Sequence, residues 1–236
     1  MPENRKRLVV LTGAGISAES GFQTFRDSGG LWEKYNVEDV ASIEGWYRNS
    51  KLMTDFYNDM RKQLETAQPN EGHKVLAELE EYFDVRIITQ NVDNLHEKAG
   101  SSHVLHLHGE LTKARPVNDD RESKIIDIGY RPLAYGEKNS DGEELRPHIV
   151  WFGEAVPAIT EAANLVRSAD IFAVVGSSLV VYPAAGLVHD LRGGTRAYLI
   201  DPKQVDVPGW LKFRVIREPA STGCAVMRDE LLRDFA

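Results

Sequence analysis

Residues 9–26 read VVLTGAGISAESGFQTFR, and this stretch decides the fold. The apolar run 8–11 breaks into Gly13-Ala14-Gly15, and Ala18 follows three residues later, which gives the pattern G-x-G-x-x-A. That pattern is typical of the strand, turn and helix that open a dinucleotide-binding fold, where glycines permit a tight turn and a close approach of backbone N–H groups to a pyrophosphate. Small residues at a strand–helix turn are also common without a ligand, so the pattern alone leaves both interpretations open.

Short apolar runs recur along the chain with helical stretches between them. The clearest runs are 8–11, 85–89, 171–175 and 197–200, and shorter candidates are 104–107 and 213–216. Continuous apolar, β-branched runs are typical of buried parallel strands, and alternation of strand with helix favours an α/β open sheet. We therefore predict a Rossmann-like open parallel sheet, built from residues 1–32, 67–111 and 147–236.

Two segments break the alternation. Residues 33–66 look helical but follow a glycine-rich turn, and residues 112–146 are polar and rich in turn-forming residues. Long excursions from a compact α/β domain are often lids or binding modules. We expect both segments to form a small inserted lobe over the sheet edge.

Composition limits the classes of function. The chain has 236 residues and a net charge of −8, so it lacks the basic footprint of a nucleic-acid-binding protein and we expect no direct contact with nucleic acid. Its one cysteine, Cys224, excludes an intrachain disulfide. No segment resembles a signal peptide or a membrane span, so we expect a cytoplasmic protein without membrane contact. The oligomeric state is not fixed by the sequence.

Three polar side chains follow the second apolar run directly. Gln90, Asn91 and Asp93 lie in the segment TQNVD. Ligands of open α/β sheets bind beyond the carboxyl ends of the strands, so these groups would face the same crevice as the glycine turn. The other interpretation is a turn that caps the helix beginning near Leu95, although capping alone does not require three such groups.

Two histidines end the next run, in the segment His106-Leu107-His108-Gly109. Side chains alternate along a strand, so both rings lie on one face, and His108 is nearer the carboxyl end. An imidazole titrates near neutral pH, which makes His108 a candidate general base. A structural histidine is the commoner case, and two histidines also suggest a metal, but no third ligand has convincing spacing.

A second small-residue turn follows the third core run. Gly176-Ser177-Ser178 offers N–H and hydroxyl groups to a phosphate. Asp201 ends the next run, where a carboxylate can bond ribose hydroxyls and would favour NAD over NADP. Asp201 is equally well placed to open a turn with Pro202.

Together these segments resemble the sirtuins, the NAD-dependent protein lysine deacylases. The blocks GAGISAESG with Phe25-Arg26, TQNVD, His108-Gly109, VWFGE (150–154) and GSSLVVYPAA (176–185) occur in the family's order over nearly the whole chain. The resemblance implies a Rossmann-like domain with a small lobe, and a cleft in which NAD meets an acyl-lysine of a substrate protein. The acyl group passes to ADP-ribose and nicotinamide is released.

The resemblance also implies roles for individual residues. His108 would activate a ribose hydroxyl as the general base, with Asn91 and Gln90 orienting the ribose. Asp93 would bind the nicotinamide carboxamide, Phe25 would cover it, and Arg26 would steady the phosphates. The remaining cofactor contacts are assigned to Gly13, Ala14, Gly15, Gly176, Ser177, Ser178, Asp201 and Cys224. The substrate peptide and acyl chain are assigned to Tyr57, Met60, Val150, Phe152, Gly153, Glu154 and Val181.

Two departures from the family pattern carry information. Sirtuins usually hold a structural zinc with four cysteines, whereas residues 110–147 contain neither cysteine nor histidine, so we expect no zinc and a hydrophobic cluster around residues 125–135 instead. Desuccinylating relatives carry Tyr-x-x-Arg on a lobe helix, and here Met60 follows Tyr57 at the arginine position. We expect a preference for acetyl or longer neutral acyl groups, unless Arg61 reaches the pocket.

Other functions were weighed against deacylation. A mono-ADP-ribosyltransferase on the same scaffold is the nearest alternative, and a non-catalytic NAD sensor would require damage to Asn91, Asp93 or His108, all of which are present. A conventional dehydrogenase would need a hydride-accepting site, and the lobe insertion argues against it.

Overall fold

The large lobe is a six-stranded parallel sheet with helices on both faces. This computed structural model describes residues 5–22 and 35–235. The strand order is β3-β2-β1-β7-β8-β9, formed by β1 Arg7–Thr12, β2 Asp84–Thr89, β3 Val104–His106, β7 Ile171–Val175, β8 Arg196–Ile200 and β9 Phe213–Ile216. All six predicted runs are strands, and the open parallel sheet is confirmed.

The order of the strands reverses beside β1. The chain builds β2 and β3 on one side of β1, then returns to add β7, β8 and β9 on the other side. A crevice forms at the carboxyl ends of the strands at such a switch point, and this is where open α/β sheets bind ligands. The turns after β1 and β7 therefore lie side by side at its mouth.

Both faces of the sheet are buried, as β1 illustrates. Leu8 and Val10 enter one hydrophobic core, whereas Val9 and Leu11 enter the core on the opposite face. Helices cover the two faces: α1 Ala14–Ala18, α4 Glu71–Glu78, α5 Leu95–Ala99, α6 Ile159–Arg167 and α7 Ala220–Phe235. Since each strand buries alternate side chains on both faces, its sequence reads as a continuous apolar run.

The small lobe combines helices with a second sheet. Its helices are α2 Val37–Val40 and α3 Ile43–Thr66, and α3 is kinked at Asn49. Its antiparallel sheet has the order β5-β4-β6, with β4 Gly109–Pro116, β5 Ile126–Asp127 and β6 Leu145–Ile149. This sheet was not predicted, and it uses residues on both sides of the expected boundaries at 111/112 and 146/147.

A compact apolar cluster stabilises the small sheet. Ala114, Ile128, Leu133 and Leu145 are buried together, and Ile126 packs against them. Ile126, Ile128 and Leu133 of the hydrophobic cluster predicted around residues 125–135 take part, whereas Tyr130 packs against the core beneath α3 and Tyr135 is exposed. Among the described residues, no helix combines the length and apolarity that crossing a bilayer requires.

Candidate active site at the carboxyl edge of the sheet

Two glycine turns interlock at the switch point. The N–H of Gly13 donates to the carbonyl of Val175 at 3.0 Å, and the N–H of Gly15 donates to that of Gly176 at 2.8 Å. A Cβ added at Gly13 or Gly15 would lie only 2.7 Å from the backbone of Gly176. The predicted turn is therefore present, but these two N–H groups join β1 to β7 instead of facing an open cleft.

The turn after β2 is tied to both glycine turns by side-chain amides. Gln90 donates from Nε2 to the Ser177 hydroxyl at 2.9 Å. Asn91 donates from Nδ2 to the Gly13 carbonyl and to the Ser17 hydroxyl, both at 3.1 Å. The structure thus brings together the three segments that the sequence analysis placed in one crevice.

Asp93 accepts one hydrogen bond from the start of α5 and one from the crevice, each on a different carboxylate oxygen. Its Oδ1 accepts the N–H of Leu95 at 3.1 Å, which caps α5, while its Oδ2 accepts the hydroxyl of Ser17 at 2.9 Å. Burial raises the pKa of this carboxyl above its ordinary value, and the two hydrogen bonds offset only part of that rise. Both interpretations of the TQNVD segment therefore hold for Asp93.

His108 is oriented through one ring nitrogen. Its Nδ1 lies 2.9 Å from the Gln90 carbonyl, which only accepts hydrogen bonds, so Nδ1 carries the proton and Nε2 is the basic atom. Burial lowers the pKa of His108 below its ordinary value of 6.5, although the bond to Gln90 opposes this. A neutral imidazole with a fixed tautomer is the form that a general base needs.

A buried polar chain supports the turn from beneath. The Thr12 hydroxyl donates to that of Thr89 at 2.9 Å and lies 3.1 Å from Nε2 of His96. The Thr89 hydroxyl in turn accepts the N–H of Asn91 at 3.0 Å. His73 packs edge-on against His96 with ring centroids 4.9 Å apart. The sequence analysis missed these four residues, because their partners are distant in the chain.

The predicted peptide segment 150–154 is fixed along one edge. The N–H of Phe152 donates to the Ala41 carbonyl at 2.9 Å, and the Phe152 carbonyl accepts the N–H of Ile43 at 3.0 Å. The N–H of Val150 donates to the His108 carbonyl at 2.9 Å. Phe152 is half exposed and Gly153 has a φ of +90°. A peptide strand would therefore add beside an already anchored backbone, next to His108.

Glu154 is committed to internal partners. Its carboxylate accepts two hydrogen bonds from Arg146, at 2.7 and 2.9 Å, and the N–H of Trp151 at 2.9 Å. Arg115 also reaches it, at 3.3 Å. Glu154 therefore holds the peptide segment in shape, and its direct contact with the substrate stays a prediction.

Arg146 is a buried cation that the sequence analysis missed. Its side chain is 2% exposed, and its guanidinium carbon lies 3.5 Å from the centre of the Trp151 ring. Trp46 stacks on Trp151 with ring centroids 5.2 Å apart. The charge is thus enclosed by aromatic faces and neutralised by Glu154.

The residues predicted for the acyl pocket lie on the buried face of α3. The Tyr57 hydroxyl accepts the Trp151 indole N–H at 2.9 Å, and Met60 is buried. Arg61 is fully buried and donates to the Leu111 carbonyl and to Asn58. Its guanidinium joins α3 to the small sheet, so it does not extend with Tyr57 toward a shared pocket.

Other predicted cofactor residues have differing positions. Asp201 accepts the N–H of Lys203 at 2.8 Å, as expected of a residue that opens a turn. Ser177 is buried between the two turns, and Ser178 and Val181 follow it on the same loop. Cys224 is fully buried within the core that contains Ile200, so its thiol faces no open surface. Phe25 and Arg26 lie outside the described residues.

Neither the sequence nor the described part of the chain offers a thiolate metal site. In residues 5–22 and 35–235, no three His, Cys, Asp or Glu side chains converge as ligands. The donors at the sheet edge are instead amides, hydroxyls, one buried carboxylate and an imidazole. This set suits a polar organic ligand with ribose hydroxyls and a carboxamide.

Comparison with known proteins agrees with this geometry. The model of the Sir2 family matches residues 13–183. An NAD-dependent protein deacylase of Bacteroides thetaiotaomicron is 54% identical over 231 residues, covering 96% of this chain and 98% of the relative. An NAD-dependent protein deacylase of Helicobacter pylori (strain 26695) is 50% identical over 198 residues, covering 84% and 85%.

Solved structures give the same result. A crystal structure of a Sir2 homologue in complex with NAD superposes with a TM-score of 0.86 and 33% identity, covering 99% of this chain and 92% of the other. A point mutant of a Sir2 homologue in complex with ADP-ribose also has a TM-score of 0.86 and 33% identity, with 98% and 94% covered.

Proposed function

The chain belongs to the Sir2 family, and on this premise we propose that its cleft transfers acyl groups from protein lysines to the ADP-ribose part of NAD, with His108 as the general base. The protein is an NAD-dependent protein deacylase, as its relatives of about half identical sequence are. The single observation that carries the catalytic proposal is the fixed tautomer of His108, next to the anchored peptide segment.

The residues at the sheet edge fit NAD. When bound, NAD supplies a ribose C1′ that the acyl oxygen attacks as nicotinamide leaves. Gln90 and Asn91 orient the ribose, and Asp93 binds the carboxamide through its buried carboxyl group. The Nε2 atom of His108 accepts a proton from a ribose hydroxyl, and the neutral state of its ring at physiological pH makes that transfer possible.

The proposal is tested by turnover of an acetyl-lysine peptide with NAD. His108→Ala should lower kcat by a factor of about 10² to 10⁴, the usual contribution of a positioned general base, while NAD binding is retained. His103→Ala is the matched control, because His103 is exposed and its substitution should leave kcat unchanged. Unchanged turnover in His108→Ala would refute the general-base role. An ADP-ribosylated protein in place of free lysine, seen by mass spectrometry, would favour the transferase.

We further propose a preference for neutral acyl groups. A buried carboxylate needs a cationic partner, and the buried Met60 supplies none. Arg61 is already bonded to Leu111 and Asn58. Acetyl-lysine peptide should therefore give a higher kcat/KM than succinyl-lysine peptide.

A matched pair of variants tests this preference. Met60→Arg should improve succinyl turnover by about 10-fold or more, since a hydrogen bond to a charged group contributes roughly 1.5–3 kcal/mol. Met60→Leu keeps the pocket apolar and should leave the preference unchanged. A wild type that favours succinyl-lysine would contradict the proposal.

Absence of zinc, cytoplasmic location and lack of contact with membranes or nucleic acid remain parts of this proposal. Support for a zinc-free small lobe comes from the apolar cluster of Ala114, Ile128, Leu133 and Leu145. A metal analysis of purified protein that finds one zinc per chain would overturn it. Cell fractionation tests the location.

A further inference from the structure

Two histidines hold two consecutive carbonyls of the catalytic turn: His106, the last residue of β3, and His108, in the bend that follows β3. His108 bonds through Nδ1 to the Gln90 carbonyl at 2.9 Å, and His106 lies with Nδ1 3.1 Å from the Asn91 carbonyl. The rings differ at Nε2. That of His106 lies 2.8 Å from Glu97 on α5, whereas that of His108 is the atom assigned to proton transfer.

Counting donors fixes the protonation state of His106. A carbonyl oxygen and a carboxylate only accept hydrogen bonds, and a neutral imidazole has one N–H to give. Both contacts of His106 are satisfied together only by an imidazolium, which donates from both nitrogens. The His106 ring is 7% exposed, while the Glu97 carboxylate that faces it is 38% exposed.

The charged groups around His106 agree with this state. The acidic neighbours of His106 are Glu97 from α5, Glu110 from β4 and Asp93. Lys113 lies near both glutamates. The other titratable rings that face His106 are those of His96 and His148. Burial alone lowers the pKa of His106, but the hydrogen bond and charge of Glu97 outweigh it, with help from Glu110, so the pKa is raised.

The contact to Asn91 links His106 to the rest of the site. Asn91 donates its side-chain amide to Gly13 and Ser17, and Ser17 donates to Asp93. A displaced Asn91 backbone would therefore move the amide, the glycine turn contact and the carboxyl together.

We propose that His106 is a positioning residue that works as an imidazolium, clamping the Asn91 carbonyl to Glu97 and thereby setting Asn91 and Asp93 for catalysis. This rests on the proposed function for its catalytic readout. His106 does not touch the reacting groups, and it acts through Asn91. The end of β3 and the bend after it thus carry one charged positioning histidine and one neutral catalytic histidine.

Nitrogen-15 NMR of the histidine rings in the wild-type protein tests the charge without any assay. His106, assigned by the signal lost in His106→Gln, should show two protonated nitrogens at about pH 7.5, well above the ordinary histidine pKa. A neutral ring at that pH would overturn the proposal. This measurement needs no turnover. It therefore tests the charge of His106 even if the wild-type protein does not deacylate the peptide and the proposed function is wrong.

Kinetics with three variants test the positioning. His106→Asn retains a donor near Nδ1, and His106→Gln retains one near Nε2, but neither is charged. We expect kcat/KM to fall about 10-fold to 100-fold in His106→Gln, as misplacement of reacting groups does, and less in His106→Asn. Equal loss in both, or none, would contradict an action through Asn91. His103→Gln is the exposed control.

Glu97→Gln supplies the pH signature. The variant keeps an acceptor but removes the negative charge that holds the proton on His106, so its alkaline activity limb should move to lower pH by about one unit or more. Activity at about pH 6, where an ordinary imidazole is protonated, should approach that of wild type. An unshifted limb with uniformly reduced activity would indicate a merely structural contact and overturn the proposal.

Discussion

The two lobes bury different kinds of group. At the sheet edge of the large lobe, Thr12, Asn91 and Asp93 are buried polar residues whose hydrogen bonds are made to other buried groups, namely Thr89, Gly13 and Ser17. In the small lobe, the ion pairs of residues 119–143 lie at the surface around an apolar cluster. Removing one partner of a buried polar group lowers the free energy of unfolding strongly, whereas breaking an exposed ion pair lowers it little. The two lobes should therefore respond differently to substitution.

Arg146 should be an exception that sharpens this contrast, because it is, like Arg61, a buried charge of the small lobe. Arg146→Met should lower the free energy of unfolding by about 3 kcal/mol, the lower end of the range for breaking a buried ion pair, since Arg115 still contacts Glu154. Arg167→Met is the control, because its pair with Asp190 is half exposed. Denaturant unfolding measures both, and equal small losses would show that burial does not decide the cost.

Acid should weaken the polar core of the large lobe. Burial lowers the pKa of His73 to about 4 and that of His96 well below 6.5. In the unfolded chain both histidines take up a proton near pH 6.5, whereas in the folded protein they stay neutral to lower pH. The free energy of unfolding is therefore greatest above pH 6.5 and falls as the pH drops toward 4. The slope should reach roughly 1.4 kcal/mol per pH unit for each histidine. His73→Gln should flatten it and His103→Gln should not.

The apolar cluster of the small lobe should tolerate truncation better. Leu133→Ala should cost about 2 kcal/mol, the lower end for a buried leucine, because a small cluster beside a loop can collapse into the gap. Tyr135→Ala, at an exposed neighbour, should change the free energy of unfolding by less than about 0.5 kcal/mol. A loss of 4 kcal/mol or more in Leu133→Ala would mean that the cluster is as rigid as the large core.

The surface charges should matter least. Lys124 contacts Asp141 and Glu143, and Lys124→Met should lower the free energy of unfolding only slightly, with a smaller loss at high salt. A larger, salt-independent loss would remove the contrast between the lobes.

What the sequence could predict follows the range of the interactions. The six strands and the turns after β1, β2 and β7 were recognisable, because local apolar runs and small residues mark them. The peptide segment and His108 were found through ordered motifs. The small sheet was not predicted, because β4 and β6 pair across a long polar excursion whose composition favours turns.

The burial of Arg146 and Arg61 was not predicted, because a single sequence carries no signal for it. In a single sequence, an arginine gives no sign of burial, since its usual place is the surface. Trp46, Trp151 and Glu154 enclose Arg146 only after folding, and Arg61 finds Leu111 fifty residues away. A partner as distant in the chain as Leu111 leaves no local pattern for Arg61, and the nearer partners of Arg146 do not by themselves indicate burial.

The interlocked glycine turns limit how this protein can change over generations. A side chain at Gly13, Gly15 or Gly176 would meet main-chain atoms of the opposite turn, and at Gly13 also the Cβ of Ser177. No neighbouring replacement can make room, because every amino acid carries the same main chain. No single substitution at these three positions is therefore tolerated. We expect the two turns to be inherited together while the loops around them diverge.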